Sequence, residues 1–150
     1  MLRQWHLIGC AVITVISLTF SLSASDNISA SDAELEFQLG SLLLQESRYE
    51  EALAAFKRAS QSPDAALVSL ARQGKIRVEL ALAEFGAAQI DAAALLRDEP
   101  SSITAQTLYG DSLWASGLFD EAEAVYVSAL EREPESSRAR YGWARSLATK

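Results

Sequence analysis

Cysteine and histidine are almost absent from this sequence. The only cysteine is Cys10 and the only histidine is His6, so both lie close to the N-terminus. Disulfides, zinc sites and Ser-His or Cys-His nucleophilic pairs require these residue types. No glycine-rich loop suited to binding phosphates is present either. We therefore expect no internal disulfide, no metal site, no cofactor and no enzymatic activity in the rest of the chain.

Proline, glycine and strand patterns are also scarce. Three prolines and seven glycines in 150 residues are too few for a collagen-like, linker-like or turn-rich β protein. No stretch of useful length alternates apolar and polar residues in the manner of a half-buried strand. Because 49% of the residues are hydrophobic, the chain can bury the core of one ordinary domain. The sequence therefore predicts an all-α fold.

Basic residues are outnumbered by acidic ones. The 13 lysines and arginines against 20 aspartates and glutamates give a net charge of −7. A nucleic-acid-binding surface usually needs a basic patch over much of one face, so no nucleic-acid partner is expected. Acidic clusters such as Glu50-Glu51 and Asp120-Glu121 fall at predicted turns or exposed helix faces, where we expect solvated charge rather than catalytic carboxylates.

The N-terminal segment has the pattern of an export signal. Arg3 precedes an uncharged and mostly apolar run from Leu7 to Phe20, and small residues then lead to Asp26. The apolar run is shorter than the roughly 20 residues that a membrane span prefers. We expect a signal peptide over residues 1–25 and a periplasmic or secreted protein. The alternative is a retained inner-membrane anchor, with the remaining chain facing the periplasm.

Short amphipathic helices are predicted after a linker at residues 26–32. Ser31 and Glu34 have the spacing of a capping box for the first helix. Prolines beside Ser, Asp or Glu separate the later helices, as is common where one helix ends and the next begins. These breaks fall at Pro63, Pro100 and Pro134.

Two segments of the chain match each other when one is shifted along the sequence. The shift aligns Gly40 with Gly110 and Phe56 with Tyr126. It equals two periods of about 35 residues, a repeat length that is typical of stacked helix-turn-helix units. We expect each glycine to let an alanine of the second helix approach closely, while the aromatic ring fills the wider end of the unit. The other matched pairs include Leu43 and Leu113, Tyr49 and Phe119, Ala52 and Ala122, and Ala59 and Ala129.

The runs LGSLLLQESRYEEALAAFKRA and YGDSLWASGLFDEAEAVYVSALEREP resemble the tetratricopeptide repeat (TPR). The marks of that repeat are a leucine-glycine pair, an aromatic residue after the turn, a Glu-Ala pair, a second aromatic residue, an alanine and a closing proline. The second run departs from them in having Tyr109 where leucine is usual, and the first has its proline one residue early, at Pro63. The resemblance implies a right-handed helical solenoid of helix-turn-helix repeats over residues 33–150. Its predicted parts are repeats at 33–64, 65–100 and 103–134 and a C-terminal helix at 137–150.

The middle repeat is degenerate. It is slightly longer than the others, and Gly74, Gly86 and Ala88 do not fit a single register. The C-terminal helix has two interpretations, because it is either a solvating cap or the beginning of a further repeat in a longer array.

The first helices of such repeats line a concave groove, and the resemblance implies that this groove receives an extended peptide or a partner helix. Trp114 and Tyr141 are the predicted anchors, although both could instead pack between helices. The paired lysines and arginine that clamp a terminal carboxylate in chaperone-binding members are missing, so that activity is not predicted. With the middle repeat left out, the predicted groove residues are Phe37, Ser41, Leu44, Gln45, Thr107, Asp111, Trp114, Tyr141 and Arg145.

Some of the aromatic residues have a structural interpretation. Phe37 is placed in the core in preference to the groove, and Phe56, Tyr126 and Trp143 are expected to be structural. The sequence as a whole predicts a non-catalytic scaffold or adaptor in the bacterial cell envelope, which binds a protein partner. The alternative is the N-terminal part of a larger secretion, pilus or polysaccharide-export component. Membrane contact is expected only through a retained N-terminal segment, and self-association stays open.

Overall fold

The computed structural model describes residues 28–149, so the predicted signal segment at residues 1–25 and the terminal Lys150 lie outside the described part. Between residues 28 and 149 the chain forms seven helices and no strand, which confirms the all-α prediction. No helix in this range combines the length and hydrophobicity that a bilayer span requires. The helices are α1 (Ala30–Gln45), α2 (Tyr49–Ala59), α3 (Ala65–Ala81), α4 (Phe85–Asp98), α5 (Ile103–Ala115), α6 (Phe119–Arg132) and α7 (Ser137–Ala148).

The helices form three hairpins and one further helix. Each helix packs on its neighbour in the chain, and α1, α3, α5 and α7 also contact one another in sequence. The second helices of the hairpins, α2, α4 and α6, do not contact each other. The first helices therefore make a continuous inner row, and the second helices are splayed along the outer side. This arrangement is a solenoid, as the repeat pattern predicts.

The first helix begins earlier than the sequence pattern indicates. Ser29 is the N-cap of α1, and its hydroxyl oxygen accepts a hydrogen bond from the backbone N–H of Asp32 at 3.1 Å. The capping box predicted at Ser31 and Glu34 is therefore wrong, and the helix already includes the last residues of the predicted linker. Ser29 is the N-cap because its backbone is extended, as an N-cap requires, whereas Ser31 has a helical backbone.

Each hairpin turns at a residue with a left-handed backbone. Ser47, Ala83 and Gly117 have φ angles of 59°, 61° and 81°. The residue that follows each of them donates its backbone N–H to a carbonyl five positions earlier, which satisfies an acceptor at the end of the first helix. Only Gly117 is a glycine, so the other two turns hold an L-residue in a strained region.

The core of the first and third repeats is built around one aromatic ring each. Phe56 is 1% exposed and Tyr126 is fully buried. A Cβ added to Gly40 would lie 3.0 Å from the Phe56 ring, and one added to Gly110 would lie 2.7 Å from the Tyr126 ring. The glycines thus make room for the rings themselves.

In the middle repeat, the large residue lies on the first helix and the small residue on the second, which reverses the order seen in the other two repeats. When the starts of α2 and α4 are aligned, the positions of Gly40 and Phe56 are taken by Ile76 and Ala92, which lie in one buried cluster. A large residue on the first helix and a small one on the second fill a similar space. The reversal explains why the repeat looks degenerate in sequence although α3 and α4 form an ordinary hairpin.

The register of the middle repeat follows from its helix starts. Tyr49, Phe85 and Phe119 each begin the second helix of a hairpin, and the interval from Tyr49 to Phe85 is the longer of the two. The extra length therefore precedes Phe85, and α3 is correspondingly long, with 17 residues against 13 in α5. Ala88 takes the position of Ala122, and both are buried. In that register Gly74 takes the position of Gly142, which likewise packs on the aromatic ring of the preceding hairpin, and Gly86 aligns with neither Gly40 nor Gly110.

Candidate functional site

A cavity of about 390 Å³ opens on the inner row of helices between α3, α5 and α7. Its walls carry three arginines, one aspartate and several apolar side chains. Three of the predicted groove residues, Asp111, Trp114 and Arg145, meet there. The complete lining is Arg77, Leu80, Phe85, Asp111, Trp114, Ala115, Arg138 and Arg145. We call this cavity the arginine pocket.

Asp111 organises one side of the arginine pocket. Its Oδ1 accepts hydrogen bonds from the Tyr126 hydroxyl at 2.7 Å and from Arg145 Nη2 at 3.0 Å. Its Oδ2 accepts a bond from Arg138 Nε at 3.0 Å. Burial, and secondarily the charge of Asp111, raise the pKa of Tyr126, so its hydroxyl stays a proton donor. Both carboxylate oxygens of Asp111 are thus already occupied by groups of the protein.

Trp114 is both a packing residue and a wall of the pocket. Its ring packs edge-on against Phe119, with 5.8 Å between the ring centroids. The Arg145 guanidinium carbon lies 3.8 Å above the Trp114 ring centroid, which is cation–π geometry. The ring centroid of Tyr141 lies 5.7 Å from the same guanidinium carbon. Tyr141 is 67% exposed and is not part of the pocket lining. Trp114 therefore combines the two alternatives that the sequence left open.

Arg77 faces Asp111 and Arg138 across the pocket without pairing with either. Among residues 28–149 it makes no hydrogen bond and no ion pair. Burial and the nearby charge of Arg138 lower its pKa, and Asp111 opposes this effect. The Nε1 atom of Trp114 and the Nε atom of Arg145 are also buried without a partner in the described part of the chain. Because these two atoms are shielded from solvent, Arg77 supplies the accessible unused donors of the pocket among the described residues.

The groove residues predicted in the first repeat do not reach this pocket. Phe37 is half-buried and packs on the core, with its ring centroid 5.9 Å from that of Phe56. Leu44 also packs on this core, and Ser41 donates its hydroxyl to the carbonyl of Phe37 at 2.9 Å. Gln45 is exposed at the end of α1. These residues lie at the opposite end of the inner row from α7.

Two further placements differ from the sequence-based expectations. Thr107 is 1% exposed and donates its hydroxyl to the carbonyl of Thr104, so it offers almost no surface to the groove. A polar residue looked suited to solvent, but a hydroxyl satisfied within its own helix can be buried. Trp143, expected to be structural, is 38% exposed on α7.

Five lining residues were missed in the sequence: Arg77, Leu80, Phe85, Ala115 and Arg138. A signal was present, because Arg77, Asp111 and Arg145 occupy the same position of successive repeats, as do Leu80 and Trp114. The signal becomes visible only after Phe85 is aligned with Phe119, and Gly74 obscures that alignment.

A second group of charges lies between α3 and α4, and one of its members is buried. Glu79 is 3% exposed, and its Oε1 lies 3.1 Å from Lys75 Nζ, which also pairs with Asp91. Burial is the main cause that raises the pKa of Glu79 to about 7, and Lys75 opposes it. No group of histidine, cysteine, aspartate or glutamate side chains in residues 28–149 could hold a metal ion.

Comparisons with known proteins agree with this architecture. Tetratricopeptide repeat profiles match residues 22–66 and 103–146, which together are more than half of the chain. No curated protein sequence matched.

Solved structures show the same fold at low sequence identity. The first TPR of Spaghetti (RPAP3), bound to the HSP90 peptide SRMEEVD, has a TM-score of 0.69 and 17% identity, covering 82% of this chain and 96% of that one. The second TPR domain of human RPAP3, in complex with the HSP70 peptide SGPTIEEVD, has a TM-score of 0.66 and 19% identity, covering 78% and 96%. A TPR-like protein from Chlorobium tepidum has a TM-score of 0.63 and 17% identity, covering 79% and 91%. From its repeats, its hairpin stack and these matches, the chain belongs to the tetratricopeptide repeat family.

Proposed function

We propose that this protein is a non-catalytic scaffold of the bacterial cell envelope whose inner groove binds a peptide segment or helix of a protein partner. The observation that carries the proposal is the arginine pocket, where Trp114 and the unpaired guanidinium of Arg77 meet on the inner row of helices. Aromatic and arginine side chains are the residue types that most often anchor protein interfaces. Two structures of the same fold hold peptides, which supports a peptide as the class of ligand.

The chaperone peptides of those structures are not carried over to this chain. Identities of 17% and 19% support a common fold and nothing finer. The family consists mainly of interaction modules, and repeats of this kind supply surfaces rather than reactive groups. We therefore assign the chain a stoichiometric partner instead of a substrate.

A photo-crosslinking experiment tests the groove. Tyr141 is exposed beside the pocket, so the photoreactive phenylalanine analogue p-benzoylphenylalanine can replace it without disturbing the core. We expect irradiation of cells to produce a discrete crosslinked protein, and mass spectrometry should identify one segment of it. Adding Trp114→Ala should weaken that crosslink, because a wall of the pocket is removed.

The matched control places the same analogue at Ile90, which is 72% exposed on the outer helix α4. It should give no crosslink to the same segment. Equal crosslinking from positions 90 and 141, or no specific crosslink from position 141, would contradict the groove as the binding surface.

The envelope location depends on the export pattern at the N-terminus, which lies outside the described residues. The test is N-terminal sequencing of the protein from fractionated cells. Recovery from the periplasm with a new terminus near Asp26 is the expected result. An intact N-terminus in the membrane fraction would indicate an anchor instead, and a cytoplasmic protein would overturn the assignment.

A further inference from the structure

The arginine pocket has an excess of positive charge that the protein does not use itself. Its lining has three arginines and one aspartate, whereas the whole sequence has a net charge of −7. Twenty acidic residues are available in the chain, yet Asp111 is the only one in this lining. The local charge is therefore opposite in sign to that of the protein as a whole.

The hydrogen-bonding groups of the pocket also show an imbalance, because donors outnumber the free acceptors. Both oxygens of Asp111 already accept bonds from the protein. Arg77 has no hydrogen-bond or ion-pair partner in the described part of the chain, and its partly exposed side chain lines the pocket, where a ligand can reach it. Arginine has five N–H donors and no acceptor. A ligand that completes this pocket must therefore bring acceptors, and a charged acceptor gains more than a neutral one.

The apolar and aromatic walls of the pocket also limit which kind of ligand can carry the acceptor group. Leu80, Phe85 and Ala115 give the pocket an apolar side, and Trp114 offers an aromatic face. A volume of about 390 Å³ corresponds to on the order of ten water molecules, which is room for a side chain rather than for a folded element. An inorganic ion would leave the apolar side unfilled.

Resting on the proposed function, we infer that the arginine pocket selects an acidic peptide segment, with an aspartate or glutamate carboxylate on Arg77 and an apolar neighbour against Leu80 and Trp114. Asp111 holds Arg138 and Arg145 in place, so Arg77 is the residue that determines this specificity. Arg77 on α3 and Arg145 on α7 occupy the repeat position that Asp111 occupies on α5, so the charges line up along the inner row.

The test begins with a phage-displayed library of random dodecapeptides, selected against the full chain purified in mild detergent. We expect the enriched peptides to contain an excess of aspartate and glutamate next to apolar residues. The most enriched peptide is then synthesised with a fluorescein label, together with a counterpart in which Asp and Glu are replaced by Asn and Gln. Fluorescence anisotropy should show binding that is about tenfold weaker for the neutral counterpart.

The protein variants locate the effect. Arg77→Gln should weaken binding of the acidic peptide by about tenfold and leave binding of the neutral counterpart unchanged. Arg97→Gln, which removes the same charge from the outer helix α4, should leave both unchanged. Because Arg77 has no partner to lose, the melting temperature of Arg77→Gln should not fall below that of the parent.

Each failure has a separate meaning. Enriched peptides without acidic residues whose binding is lost in Trp114→Ala would overturn the inference and leave the proposed function standing. Acidic peptides that bind Arg77→Gln as tightly as the parent would also overturn it. Failure to enrich any peptide would overturn the inference and contradict peptide binding in the groove.

Discussion

The fit of Gly74 against the Phe56 ring gives a sharp test of how the repeats stack. A Cβ added at Gly74 would lie 2.4, 2.5 and 2.7 Å from three carbons of the ring, well inside van der Waals contact. The ring cannot simply move away, because Phe56 is 1% exposed and Gly40 approaches it from the preceding helix α1. Gly74→Ala must therefore displace α3 or force the ring from its position.

The magnitude follows from two opposing effects. Forcing one extra carbon into a filled core costs about 1–3 kcal/mol, while alanine in a helix interior is better than glycine by about 1 kcal/mol. The direct contacts at 2.4 Å place this site at the upper end of the steric range. We expect Gly74→Ala to lower the free energy of unfolding by about 1–2 kcal/mol, which is a fall in melting temperature of roughly 5 °C.

Gly86 supplies the matched control, because a Cβ there would meet nothing within 4 Å. Gly86→Ala lies in the first turn of α4 and should be neutral or slightly stabilising. Urea unfolding followed by circular dichroism compares the two variants under identical conditions. If Gly74→Ala proves as stable as Gly86→Ala, the close packing of α3 on the Phe56 ring is refuted. A second variant, Phe56→Leu combined with Gly74→Ala, should lose less than the sum of the two single changes, since the smaller side chain relieves the clash.

Three other substitutions test separate parts of the structure. Because burial raises the pKa of Glu79 to about 7, the folded chain holds this proton more tightly than the unfolded chain. Its stabilisation is complete below about pH 4.5 and is lost as the pH rises through 7, by at most about 1.4 kcal/mol per pH unit. Glu79→Gln should remove this slope from a series of urea titrations, and an unchanged slope would contradict the assignment. Asp111→Asn should lower the free energy of unfolding by about 2 kcal/mol, because Tyr126 and two arginines lose a charged acceptor. A loss too small to detect by thermal unfolding would show that the network is not stabilising. Ala83→Gly should raise the free energy of unfolding by up to about 1 kcal/mol, because its φ of 61° suits glycine, and a lower urea midpoint would argue against strain at this turn.

The fold could be predicted from the sequence wherever a repeat keeps the small–large pairing of its two helices. Gly40 with Phe56 and Gly110 with Tyr126 give the pattern twice, and the helices lie where that pattern indicates. The middle repeat could not be aligned, because Ile76 and Ala92 satisfy the same volume in the opposite order. A comparison of residue types detects identity at a position, whereas the core requires only that the summed volumes fit.

The site was predictable in part for the same reason. Asp111, Trp114 and Arg145 lie in repeats whose register is clear, and the structure brings them together. Arg77 could not be predicted because the register of its repeat could not be assigned from the sequence. Thr107 was wrongly placed in the groove because a hydroxyl group can be satisfied within its own helix and then be buried. Spacing shows which face of a helix a residue occupies. It does not show how deeply the neighbouring helices cover that face.

Arg77 is the residue for which stability and binding lead to opposite expectations. The solenoid gains little from it, since its guanidinium has no partner in residues 28–149 and lies near the like charge of Arg138. The equivalent position of the first repeat is occupied by Ser41, which is uncharged, and that hairpin also has a buried core. An exposed charge that is unpaired and near another cation contributes little to folding and is available to an anion. Arg77→Gln should therefore unfold at the same temperature as the parent or above it while acidic-peptide affinity falls, whereas a structural role for this arginine would lower both.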